Sequence, residues 1–136
     1  MILSDIIQDF NSIDNWDDRY HYLIELGKKL PPIPEEKCTP SNKISGCISQ
    51  IWLIKHIIEE KEKSPRIIFE VYSDSHIIRG LLFIMLAIYS GKTADEIQKI
   101  DAMKIFLQLG LIEHLSPQRA NGLSIINSTI QSQSRL

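Results

Sequence analysis

The chain has 136 residues, 43% hydrophobic and 24% charged, with a formal net charge of −2 and a sequence pI near 6.1. That length suits one domain with its own core. The balanced, interspersed charge lacks the positive field of a nucleic-acid binder, and the longest apolar run, Leu81 to Tyr89, falls short of the roughly 20 residues a bilayer requires.

Met1-Ile2-Leu3 leads straight into Ser4-Asp5, with no basic leader or small-residue cleavage site. The expectation is a cytoplasmic protein, engaging neither membrane nor nucleic acid, whose two cysteines are free thiols. Ser4 has the chemistry of an N-cap, and Ile6, Ile7, Phe10 and Ile13 follow at helical spacing. Asn15 reads as a second N-cap. Behind it Trp16, Tyr20, Leu23, Ile24, Gly27 and Leu30 form one apolar stripe. Asp17 and Asp18 in the first turn and Lys28 and Lys29 in the last complement the helix dipole. Pro31, Pro32 and Pro34 then stop it. Residues 31–46 hold four of the six prolines and read as a long loop, a kind of segment that often carries function.

Two β-like segments follow, 50–58 and 66–73. In the second, Ile67, Phe69 and Val71 alternate with Ile68, Glu70 and Tyr72. The charged stretch 59–65 reads as their hairpin connection, and residues 43–45 as a short third strand. From Asp74 the period turns helical. Ile77, Ile78, Leu81, Leu82, Ile84, Met85 and Ile88 cover so much of the circumference that this helix must be central. Thr93 and Glu96 have the spacing of a capping box, with Ile97 and Ile100 as the buried side. Ala102 to Leu109 reads as a short helix closed by Gly110. Ser116-Pro117 opens a last helix carrying Leu123, Ile126 and Ile130. Helices, a small antiparallel sheet, then helices again make an α+β fold, a single domain over 1–136.

Few residues carry chemistry. Cys38 and Cys47 are separated by eight intervening residues, and His21, His56, His76 and His114 are scattered. No paired short spacing of the kind a zinc site needs is present, and two cysteines are too few for an iron–sulfur cluster. No metal is expected. The glycines are spread singly, with no phosphate-binding loop and no GxSxG elbow. Cys47, in ISGCISQIW (44–52), sits where the Pro-rich loop meets a strand. It either packs as a small hydrophobe or reacts as a thiol. Gly46 frees the backbone to turn, and Ser49 and Gln50 could donate to a thiolate. Arg119 falls in the first turn of the last helix, where a cation opposes the dipole. It is either a surface residue or an anion contact near the thiol. Asp74 reads as the N-cap of the central helix, and Trp52 as a core residue.

Four blocks point further: NWDDRYHYLIELGKKLP at 15–31, SNKISGCISQIW at 41–52, SDSHIIRGL at 73–81 and HLSPQRANGL at 114–123. In this order they resemble the SufE/CsdE family of sulfur-acceptor proteins, partners of cysteine desulfurases in iron–sulfur cluster assembly. The resemblance runs from about Ile6 to Ile130. It implies the α+β fold shared with IscU-type scaffolds, with about three strands. It also implies a persulfide acceptor at Cys47, with Gly46, Ser49, Gln50, Asp74 and Arg119 as its supporting residues. The implied activity is that of a non-enzymatic carrier. It takes sulfur from a desulfurase of the SufS/CsdA type, stimulates that enzyme, and passes sulfur to a SufBCD-type scaffold or another acceptor. Pyridoxal phosphate would belong to the partner, so no cofactor is expected here. The family pattern assigns no role to Cys38 and leaves monomer and homodimer both open. Two other classes stand beside this reading. One is a cysteine-dependent enzyme acting on a small molecule, which needs a histidine against Cys47. The other is a binding module in which Cys47 only packs.

Overall fold

The computed structural model describes residues 1–135. Its centre is the helix α3 (His76–Tyr89), where Leu81, Leu82, Ile84 and Met85 are wholly buried. A helix apolar on nearly every side must be covered on nearly every side. α2 (Trp16–Gly27) and the hairpin of β1 (Ile51–Ile58) and β2 (Arg66–Ser73) provide part of that cover. α1 (Leu3–Asn11) and α7 (Pro117–Gln133) also pack on it. Between α3 and α7 run β3 (Lys92–Thr93), α4 (Ala94–Gln98), α5 (Ala102–Gln108) and α6 (Leu111–His114). A structure in which helices flank a three-stranded antiparallel sheet, in the order β1-β2-β3, is the α+β class expected. None of the described helices is long and apolar enough to cross a membrane.

The α2–α3 crossing is unusually close. A Cβ built on Gly80 would lie 2.2 Å from the Leu23 carbonyl oxygen, and one on Gly27 would lie 2.8 Å from the Arg79 Cβ. Two glycines facing each other let the backbones meet where any side chain would separate them. α7 is fixed differently. The buried Tyr89 donates its hydroxyl to Asn127 Oδ1 at 2.6 Å, while Gln131 Nε2 bonds the Tyr89 oxygen at 3.2 Å and the Ile100 carbonyl at 2.9 Å. This polar pin joins α3, α7 and the segment before α5 without leaving a buried group unsatisfied.

β1 pairs with β2 from Ile51↔Ser73 to Ile58↔Arg66. Ile51 and Leu53 with Ile67, Phe69 and Val71 form the buried face, as the alternation predicts. The hairpin connection spans 59–65, with Glu62 at φ 62° and Glu60 paired to Arg66 at 3.1 Å.

Several expectations need correction. The third strand is β3, which pairs with Arg66 and Ile67. Residues 43–45 make only an isolated bridge, Lys43↔Trp52. The β3 strand is two residues long, too short to leave an alternating pattern. α1 begins at Leu3, with Ile2 in the N-cap position and no side-chain cap. The Ile2 carbonyl already accepts from the amides of Asp5 and Ile6, so Ser4 lies inside the first turn. α2 ends at Gly27, placing Lys28 at its C-cap and Lys29 beyond it, although Leu30 is still buried. α6 was not anticipated. It is one turn long, begun by Gly110 at φ 75°. The N-caps at Asn15 and Ser116 and the Thr93–Glu96 capping box are all formed.

Candidate functional site

The Pro-rich loop closes onto the start of β1. Its residues 35–37 and 40–42 take short 3-10 turns, and Ile33 and Ile44 turn inward to the core. The Ile44 amide donates to the Ile51 carbonyl at 2.8 Å. The Gln50 amide donates to Asp74 Oδ1 at 3.0 Å, and the Asp74 amide returns to the Gln50 carbonyl at 3.3 Å. Residues 45–49 thus form a small loop tied at both ends. Gly46 turns it at φ 90°, a region that L side chains rarely adopt.

That turn directs Cys47 toward α7. Its Sγ lies 3.9 Å from the Gly122 carbonyl oxygen, a long, weak S–H···O contact. The side chain is half-buried and packs against the edge of the core. Beside it opens a cleft of about 360 Å³, lined by Cys47, Ile48 and Ser49 from the loop and by Ser116, Gln118 and Arg119 from α7. Ser116 caps α7, accepting the Arg119 amide on its hydroxyl at 3.2 Å. The cleft therefore sits at the positive end of a 17-residue helix. No ion pair occupies Arg119 among the described residues.

Helix N-termini and guanidinium groups in general favour a sulfur anion, but the influence that registers on Cys47 is burial, which pushes its pKa above the ordinary thiol value. In this conformation the thiol keeps its proton at neutral pH.

The supporting residues divide. Ser49 and Arg119 share the cleft with Cys47. Gly46 supplies the turn. Gln50 is not among the cleft-lining residues, and its backbone is held by Asp74. Asp74 is not the helix N-cap, because the Ser75 hydroxyl accepts the Ile78 amide and does that work. The Asp74 carboxylate instead spans from the end of β2 to the loop. Trp52 is outside the core: it lies half-buried on the outer face of the sheet, opposite Tyr72. An odd position, Ile51, took the inward place, so the even neighbour faces out. Cys38 stands near the Ile33 carbonyl at 3.8 Å and does not line the cleft. Gly122 was not anticipated, although it stands one turn past Arg119 in the quoted block.

The histidines lie elsewhere. His56 pairs with Glu70 at 2.8 Å on the outer sheet face. His114 stacks on Trp16 with centroids 3.5 Å apart, and its carbonyl accepts from the Tyr20 hydroxyl. Among the described residues no three of Cys, His, Asp and Glu gather as a metal site would require.

Comparison with known proteins identifies the family and the fold. An uncharacterised SufE-like protein of Rhizobium meliloti is 54% identical over 131 residues, covering 96% of this chain and 93% of that one. One from Rhizobium etli is 51% identical over 134 residues, covering 98% and 90%. A solution structure of a hypothetical protein from Thermus thermophilus aligns with a TM-score of 0.72 over 99% of this chain and 96% of that one. At 18% identity it speaks for the fold alone. The model of the SufE family, described as an Fe-S metabolism associated domain, matches residues 4–134. With the family model spanning nearly the whole chain, and relatives at about half identity over almost full length, the chain belongs to the SufE family.

Proposed function

We propose that this SufE-family chain is a sulfur acceptor and carrier, with Cys47 as the residue that receives sulfur from a cysteine desulfurase of the SufS/CsdA type. The observation that supports it best is the cleft beside Cys47, where a half-buried thiol shares a pocket with Arg119 and the N-terminal turn of α7. The donor holds sulfur as a persulfide on its own cysteine. The Cys47 thiolate attacks the outer sulfur of that persulfide. A new S–S bond forms at Cys47, the donor's S–S bond breaks, and the donor cysteine leaves as a thiolate. The Cys47 proton passes to that leaving thiolate or to solvent. No net oxidation occurs. Clearing the donor speeds its turnover, and the carrier then yields the sulfur to a SufBCD-type scaffold or another acceptor.

The chain needs no pyridoxal phosphate for this; that cofactor serves the partner. A protonated, half-buried thiol is a resting form, protected from stray oxidants, and it must move toward solvent to react. Arg119 and the α7 N-terminus then favour the sulfur anion as it develops. No histidine lines the cleft to serve as a base, so nothing here favours a cysteine-dependent enzyme with its own small substrate.

The test mixes the chain with a desulfurase from the same organism and L-cysteine. Faster alanine release, and one added sulfur on Cys47 by mass spectrometry, are expected. Stimulation that survives intact in Cys47→Ser would sink the acceptor reading.

A further inference from the structure

We infer that Ile48 is the recognition anchor of the acceptor loop, the apolar side chain that the sulfur donor seats in a socket beside its own persulfide. The inference rests on the acceptor reading of Cys47. Ile48 is 76% exposed, the highest value among the exposed large apolar residues described. Single exposed apolar side chains are ordinary on protein surfaces, so exposure alone decides nothing. Position does. Among the described residues, the other exposed large apolar side chains lie at the N-terminus (Met1, Ile2), at the far end of the hairpin (Ile57, Ile58, Ile68) or on α5 (Leu107). None of them lines the Cys47 cleft, and Ile48 does.

Transfer brings Cys47 Sγ to within a sulfur–sulfur bond of an atom held inside another protein, about 2 Å. The Cα of Ile48 follows that of Cys47 by about 3.8 Å. Because Ile48 also lines the cleft beside the thiol, a protein donor entering there meets its side chain. Seated in the proposed complex, that side chain leaves water, and its full burial strengthens binding roughly ten- to a hundredfold. A β-branched side chain has few rotamers to lose on being seated. The loop that presents it is tied at both ends by the Ile44–Ile51 and Gln50–Asp74 hydrogen bonds, which limits the freedom it loses on binding. Ser49 beside it and Ser116, Gln118 and Arg119 in the same cleft lining are polar, so the exposed apolar contact is a single point with a polar rim. A donor with an apolar hollow beside its sulfur would be accepted, and one presenting a charge there would be refused.

The experiment titrates wild-type chain, Ile48→Ser and Ile48→Leu into the desulfurase with L-cysteine and follows alanine release. Ile48→Ser is expected to raise the half-saturating concentration about tenfold or more, with the same maximal stimulation. Ile48→Leu is expected to stay close to wild type. An unchanged half-saturating concentration in Ile48→Ser overturns the anchor, as does a fall in maximal stimulation without a change in that concentration. Cys47→Ser in the same titration keeps the two ideas apart. If it still stimulates, the acceptor reading fails; if it is silent while Ile48→Ser behaves as wild type, only the anchor fails.

Discussion

The Cys47 thiol is governed by burial rather than by the charges near it. Its raised pKa means that the folded chain holds the proton more tightly than the unfolded one. That preference contributes to stability below the unfolded-state value and is lost as pH rises through the higher folded-state value. Alkylation of Cys47 by iodoacetamide should therefore show a midpoint displaced to alkaline pH. Unfolding in urea should return it to the value of an ordinary thiol. A native midpoint at or below the ordinary thiol value would show that the resting pocket activates the residue. Arg119 invites a second measurement. As an exposed cation in the first turn of α7 it opposes the helix dipole, so Arg119→Ala should leave the melting temperature unchanged or raise stability by about 0.3 kcal/mol. The same variant should lose sulfur-transfer rate. A variant that transfers sulfur as fast as wild type would reduce Arg119 to surface decoration.

At the scale of elements, two joints hold the site in place. The first is the α2–α3 crossing. In Gly80→Ala the new methyl would meet backbone rather than a movable side chain, and a loss of roughly 3 kcal/mol is expected in urea denaturation. A loss below about 1 kcal/mol would mean that the helices slide apart cheaply. The second joint is the Asp74–Gln50 tie. Asp74→Ala removes a charge-assisted bond, costing about 1 kcal/mol, and should quicken alkylation of Cys47 by loosening the loop; unchanged alkylation would show that the tie does not restrain it. The long periodic segments were readable because period and burial agree: the alternation of β2 was read correctly to the residue, and the N-caps at Asn15 and Ser116 follow from side-chain chemistry three residues from the amides they accept. What escaped was non-local. Nothing in the sequence says that residues 92–93 find an edge on β2, or that Asp74 reaches across to Gln50 while Ser75 caps the helix. Trp52 was misplaced because facing is decided by strand register, and one residue reverses it. The cleft was half legible. Cys47 and Arg119 stand out locally, yet their meeting depends on how α7 packs.

At the scale of the whole molecule, stability and chemistry are separable. The core runs through α3, the inner sheet face and α7, while Cys47 only touches its edge. Cys47→Ser should thus melt within about 2 °C of wild type, a shift corresponding to well under 1 kcal/mol, while losing the added sulfur. A large fall in melting temperature would recast the cysteine as a packing residue.

The tied loop also has a mechanical consequence. From Ile44 to Gln50 the chain has six Cα–Cα steps, and both ends are fixed to the end of the sheet. Doubled back on itself, such a length can project its tip by only about 10 Å. Cys47 is a short-tethered arm rather than a swinging one, so under the proposed acceptor role a donor must bring its sulfur to within that radius of the start of β1. The reach of the thiol is thereby built into the hydrogen bonds at the loop's two ends and a loop of fixed length. Lengthening the loop would widen the radius at the expense of aim.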